Sequence, residues 1–113
     1  MTRDLIEKVT IGSAICFDEC WQKARPIISD RLFSDERNKF IWGLLKEMKE
    51  KRMDTDVVTM WQYALDRYPE IQNPAGLAAY ICEVTIVVCF KEYDKVISEL
   101  LRFFALENKR HGR

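Results

Sequence analysis

The sequence predicts an all-α fold, a compact bundle of about six helices. Three observations predict it. Apolar residues recur at helical spacing along most of the chain. The 4 glycines and 3 prolines are few and fall where helices would be punctuated. No internal repeat and no low-complexity tract interrupts the pattern.

The first element spans residues 5–16, where Gly12 and Ser13 are weak helix formers. Small residues inside a helix point to close approach of another backbone. A short helix over residues 20–24 follows and ends before Pro26. Phe40, Ile41, Leu44, Leu45 and Met48 then form one amphipathic stripe, with Ser34 or Asp35 as its cap. Lys46, Glu47, Lys49, Glu50 and Lys51 are its wet face, and their alternating signs suit solvent rather than a nucleic-acid backbone. A second stripe, Val57, Trp61, Ala64, Leu65 and Tyr68, opens at Thr55 or Asp56 and closes at Pro69. Asn73 and Pro74 are a cap followed by a first-turn proline, leading into Leu77, Tyr80, Ile81 and Val84.

The last helix is expected to begin near Phe90. Its apolar positions, Phe90, Tyr93, Val96, Ile97, Leu100, Leu101, Phe103 and Phe104, cover an arc of about 160° at about 100° per residue. That arc is wider than one packing contact requires, so the helix is either wedged between neighbours or shares its face with another chain. Residues 85–90 are β-branched and strand-like. Nothing else alternates with period two, so they read as an apolar helix end or a connection. Residues 1–107 are expected to form one helical domain and 108–113 a polar C-terminal tail.

Composition narrows the functional classes. Apolar residues make up 48% of the 113, enough for a core, and 18 basic side chains balance 18 acidic ones. A neutral chain lacks the positive footprint of strong nucleic-acid binding. No window is apolar enough to span a bilayer. The first residues lack a basic stretch followed by an apolar one, so the expected compartment is the cytoplasm.

The residues for chemistry are sparse. Cys16, Cys20, Cys82 and Cys89 form no C-x-x-C pair, and the one histidine is His111. Four small reduced thiols in or near a core are the expected reading, with no metal and no cofactor. Gly12, Gly43, Gly76 and Gly112 are isolated, so no phosphate-cradling loop is present. The carboxylate pairs Asp35 with Glu36 and Asp54 with Asp56 sit at helix starts, where they cap and complement the helix dipole. A binding or assembly module is expected rather than an enzyme.

The ordered signals resemble the N-terminal domain of DnaB-type replicative DNA helicases. The resemblance starts at Glu7, Val9, Ile11, Gly12, Ser13, Ala14 and Ile15, and continues through Phe33, Phe40, Ile41, Leu44, Leu45 and Met48. Asp56-Val57-Val58-Thr59-Met60 resembles the family's helix opening, with Leu65 as a later anchor. Gly76-Leu77-Ala78-Ala79-Tyr80-Ile81 and then Tyr93, Val96, Ile97, Leu100 and Arg102 complete the series. The chain departs from the family at the connection before the last helix, which is shorter and carries Ile86, Val87 and Val88. Where many members carry a histidine before the third helix, it has Arg37 or a neighbour.

The resemblance implies a helical bundle without chemistry of its own, part of a collar above a motor ring. It implies self-association as a homodimer and docking of primase or a helicase loader, with no cofactor and no membrane. The candidate self-association residues are Phe90, Tyr93, Ile97, Leu101 and Phe104, since aromatic anchors dominate interface energetics. Trp42 falls beside its stripe and is the candidate exposed contact, whereas Trp61 lies on its stripe and is expected in the core. The alternative reading is a small helical DNA-binding regulator. It requires a basic recognition helix, but residues 35–52 mix acids with bases and residues 57–68 carry only Arg67 as a base. The helicase-binding domain of primase has a similar fold, but the Asp56-to-Thr59 opening favours the helicase side.

Overall fold

The computed structural model describes residues 1–110. It contains six α-helices and one short 3-10 turn: α1 (Arg3–Cys16), α2 (Asp18–Ala24), the turn (Asp30–Leu32), α3 (Glu36–Glu50), α4 (Val57–Arg67), α5 (Pro74–Thr85) and α6 (Tyr93–Arg110). There is no strand among the described residues, so the all-α reading holds.

Helix α1 is the axis of the bundle and packs against α2, α3, α5 and α6. Its residues from Ile6 to Ile15 are buried apart from Lys8, so it is apolar on nearly every side, as a central helix must be. Gly12 is the point of closest approach. A Cβ there would stand 1.8 Å from the carbonyl oxygen of Val84 on α5. The close backbone approach expected from the small residues is therefore present, and it is α5 that makes it.

Local chemistry sets the helix starts. Thr2 Oγ1 accepts from Leu5 N–H at 3.2 Å, Asp35 Oδ1 from Arg37 N–H at 2.8 Å and Asp56 Oδ1 from Thr59 N–H at 2.9 Å. Asn73 Oδ1 accepts from Gly76 N–H at 3.0 Å, with Pro74 in the first turn. Each cap satisfies a donor that the helix itself leaves free. Of the two cap candidates before α4, Asp56 does the capping, while Thr55 donates to the carbonyl of Ile15 at 3.0 Å. Helix α3 stops in a left-handed residue, Arg52 (φ 58°), with Met53 N–H donating to Met48 O and Arg52 N–H to Lys49 O, each at 3.0 Å.

One polar cluster lies inside the core. The Glu7 carboxylate is fully buried. It accepts from Arg3 Nε at 3.0 Å, Ser34 N at 2.8 Å, Ser34 Oγ at 2.7 Å and Asn38 Nδ2 at 2.8 Å. Asn38 Oδ1 in turn accepts from the Tyr80 hydroxyl on α5. Arg3 also donates to the carbonyl of Leu32 at 3.1 Å and pairs with Glu107 of α6 at 2.6 Å.

Several expectations are corrected. Residues 86–92 form a non-helical connection, and α6 begins at Tyr93 rather than near Phe90, because the β-branched run at 86–88 does not continue either helix. Helix α6 extends to Arg110, so residues 108–110 of the expected tail are helical. The remainder of that tail, 111–113, lies outside the described residues. Trp61 is half-buried on the edge of the core, its indole Nε1 donating to Pro74 O at 2.8 Å. The fully buried residues of α4 are Met60 and Ala64. Cys16 and Cys82 are exposed, Cys89 is half-buried, and Cys20 alone of the four thiols is buried.

Gly43 contrasts with Gly12. It is exposed in the middle of α3, and a Cβ there would meet nothing within 4 Å. A mid-helix glycine costs about 1 kcal/mol relative to alanine. Gly43→Ala is therefore expected to stabilise the fold by about 1 kcal/mol and raise Tm by about 4 °C. Gly12→Ala is expected to destabilise it by about 3 kcal/mol through overpacking against α5. Thermal and urea unfolding of the two variants should give opposite signs; equal signs would refute this account of the α1–α5 contact. Glu7→Ala should cost about 3 kcal/mol, because it strands the buried Asn38 amide and leaves a cavity in the core, and a loss below about 1 kcal/mol in urea unfolding would refute that.

Candidate interaction surface

Helix α6 carries most of the candidate residues, and its two halves differ. The first half is core. Tyr93, Val96, Ile97 and Leu100 are buried between α1, α2 and the 3-10 turn. The Tyr93 hydroxyl donates to the carbonyl of Thr10 at 2.7 Å, and burial pushes its phenol far up. The wide apolar arc is therefore taken up by wedging over this half. Tyr93 and Ile97, read from the sequence as interface residues, lie inside the bundle.

Beyond Leu100 the helix emerges. Leu101 is 38% exposed and Leu106 is 45% exposed, while Phe103 and Phe104 are half-buried against the core. The Arg31 guanidinium lies 5.8 Å from the Phe104 ring centroid. Leu106 was not among the sequence candidates, and at about 140° round the helix from Leu101 it lies outside the arc of the stripe.

The second apolar exposure is the connection before α6. Phe90 is 43% exposed and packs on Phe17, with ring centroids 5.0 Å apart. Ile86 is 78% exposed, and Val88 is exposed as well. Cys89 N–H donates to Ser13 Oγ at 2.8 Å, which ties the connection to α1. A groove of about 380 Å³ lies beside it, lined by Met1, Ile6, Val9, residues 86–89 and Val96, with Glu92, Lys95 and Glu99 along α6. The β-branched run that looked like a strand is the signal that could have marked this surface, because those residues find no partner strand and stay in contact with solvent.

Trp42 is corrected. It is 2% exposed and stacks between Trp21 and Phe33, at 5.4 Å and 5.6 Å. Its position beside the α3 stripe is covered by α2 and by the segment around the 3-10 turn, elements whose placement no helical periodicity reveals.

The resolved protonation shifts all move groups away from neutrality. Arg37 donating to Asp35 lowers that carboxyl, and the backbone N–H of Thr59 lowers Asp56. Burial raises the thiols of Cys16 and Cys20, and it raises the Tyr80 phenol to about 12. Hydrogen bonds to Glu83, then to Asp4, raise Lys8. Such shifts hold fixed charges and neutral phenols in place, whereas proton chemistry needs a group poised near the working pH. No group of three or more His, Cys, Asp or Glu able to hold a metal ion occurs among the described residues.

Comparison with known proteins then gives one decisive finding. Residues 4–99 match the model of the family described as DnaB-like helicase N terminal domain. The chain belongs to that family. It is a helicase-related interaction domain with an all-helical fold. The match covers most of the core, including Glu7, Gly12, Asn38, Tyr80 and the start of α6 as far as Glu99. It ends just before the exposed second half, so Leu101, Phe104 and Leu106 lie beyond it. No curated protein and no solved structure matches the chain. No helix among the described residues is long and apolar enough to cross a membrane.

The raised phenols give an alkaline limit. A folded value above the unfolded one means stability that is complete below pH 10 and lost as pH rises through the folded value. Tyr80, at about 12 in the fold against 10.0 unfolded, should therefore stay neutral above pH 10, and unfolding should set in between pH 10 and 12. Tyrosinate absorbance followed together with circular dichroism checks this. Full ionisation of all 4 tyrosines near pH 10 without unfolding would contradict the burial of Tyr80 and Tyr93.

Proposed function

We propose that this DnaB-like N-terminal domain works without catalysis, by pairing with a copy of itself and docking primase or a helicase loader. The observation that carries the reading is the family match over residues 4–99, followed at once by an α6 segment that leaves Leu101 and Leu106 in solvent. Exposed aliphatic side chains on an ordered helix favour burial against another chain, at about 25 cal/mol per Å² removed from water. Of the sequence candidates, Leu101 and Phe104 serve self-association; Leu106, about 140° further round the helix, adds a separate aliphatic contact. Phe90, with Ile86 and Val88 beside it, supplies the second apolar surface, the one assigned to the primase or loader.

Sedimentation over a concentration series tests self-association. A reversible dimer is expected. Leu101→Glu combined with Leu106→Glu should give monomers and keep the helical circular-dichroism signal, since neither residue is in the core. A parent chain that stays monomeric at high concentration, or a double variant that still dimerises, would overturn it. Phe90→Ser should leave the dimer intact and weaken binding of purified cognate primase or loader about tenfold. Unchanged affinity for both would remove the second surface from the reading.

A further inference from the structure

The fold brings two cysteines together from positions 69 residues apart. Cys20 is buried on α2, and its Sγ lies 4.0 Å from the backbone carbonyl oxygen of Cys89 in the 86–92 connection. Standard bond lengths then hold the two Cα atoms within about 9 Å of each other. A disulfide spans a Cα separation of about 4.4–6.8 Å, so a small shift closes the pair. Contacts on either side fix the alignment. Phe17 packs on Phe90 with ring centroids 5.0 Å apart, and Lys23 pairs with Asp94 at 3.4 Å. The connection is non-helical, so it can move toward α2 without breaking a helical hydrogen bond.

The two thiols differ in access. Cys89 is half-buried and lines the groove of about 380 Å³ beside α6. Cys20 is 1% exposed. Burial raises its thiol, Lys23 lowers it in part, and the neighbouring Cys89 sulfur raises it again. A small disulfide therefore reaches Cys89 first, and Cys20 stands behind it as the second sulfur.

We propose that Cys20 and Cys89 are a redox pair that closes to a disulfide and pins the 86–92 connection to α2. The co-reactant is a small-molecule disulfide such as oxidised glutathione. The Cys89 thiolate attacks it, and one glutathione leaves as its thiolate. Cys20 then releases its proton to water, its sulfur attacks the Cys89 sulfur of the mixed disulfide, and the second glutathione leaves. Two protein thiols lose two electrons, and one small disulfide is reduced to two thiols. Transient disulfides of this kind serve as redox sensors in compartments that are otherwise reducing. Phe90 follows Cys89 directly, so the bond fixes the apolar surface that the connection carries. The proposal stands on the contact between Cys20 and Cys89 and not on the identity of any partner.

A chain carrying both Cys16→Ser and Cys82→Ser tests it, because those two thiols are exposed and their removal leaves only Cys20 and Cys89. After treatment with oxidised glutathione it should be about 2 Da lighter than the reduced form and yield a peptide that joins residue 20 to residue 89. Tm should rise by about 5 °C, since the bond closes a loop of 69 residues, and amide exchange over residues 86–92 should slow about tenfold. Dithiothreitol should reverse all three changes. Adding Cys89→Ser should abolish the product, and adding Cys20→Ala should stop the reaction at a glutathione adduct on Cys89. A stable adduct on Cys89 with Cys20 present, a covalent dimer through Cys89, no reaction at all, or a Tm lowered by the bond would overturn the proposal.

Discussion

The structure depends on one buried carboxylate. Glu7 sits on the central helix with no exposure to water, where an unpaired charge would be prohibitive. It is tolerated because five donors converge on it: Arg3 from its own helix, Ser34 through both backbone and hydroxyl, the backbone N–H of Asp35, and Asn38 from the first turn of α3. The positive end of the α3 dipole faces the same point. Two of these residues are bound elsewhere too, Asn38 by Tyr80 of α5 and Arg3 by Glu107 of α6 and the carbonyl of Leu32. A slip of any of these elements by one residue would leave a charge or an amide unsatisfied in the core. The cluster therefore specifies register among α1, α3, α5 and α6, which apolar packing alone specifies weakly.

The apolar contacts follow from that register. Gly12 lets α5 come against α1, which brings Tyr80 within reach of Asn38. Tyr93 anchors the start of α6 to α1 through the carbonyl of Thr10. The first half of α6 is thus consumed by the bundle, and the second half leaves it. The same constraint that orders the core delivers an exposed helix end to the surface.

The molecule presents two apolar surfaces of different character. The end of α6 is aliphatic, and the 86–92 connection is β-branched and aromatic. With 18 basic and 18 acidic side chains the molecule has no long-range field of one sign, so any contact it makes would draw on local patches. The resolved protonation shifts follow from the same packing: the Arg37 pair lowers Asp35, and burial raises the Tyr80 and Tyr93 phenols.

Much of this was legible in the residues. Ser34 or Asp35, Thr55 or Asp56, and Asn73 with Pro74 marked three helix starts because capping is local chemistry, settled within four residues; the structure selects Asp35 and Asp56. Gly12 announced a close backbone contact because a mid-helix glycine is otherwise a defect, and the order of motifs from Glu7 to Leu100 carried the family. Other features required the tertiary structure. Periodicity says which residues share a face, but not whether a neighbouring element covers that face. So Trp42, beside its stripe, is buried by α2 and the 3-10 turn, and Tyr93 and Ile97 are core although Leu101 on the same stripe is not. The sequence by itself determined where helices begin and what family they compose. Only the tertiary structure decided which apolar side chains face water, because burial is set by residues distant along the chain that arrive only when the whole bundle closes around Glu7.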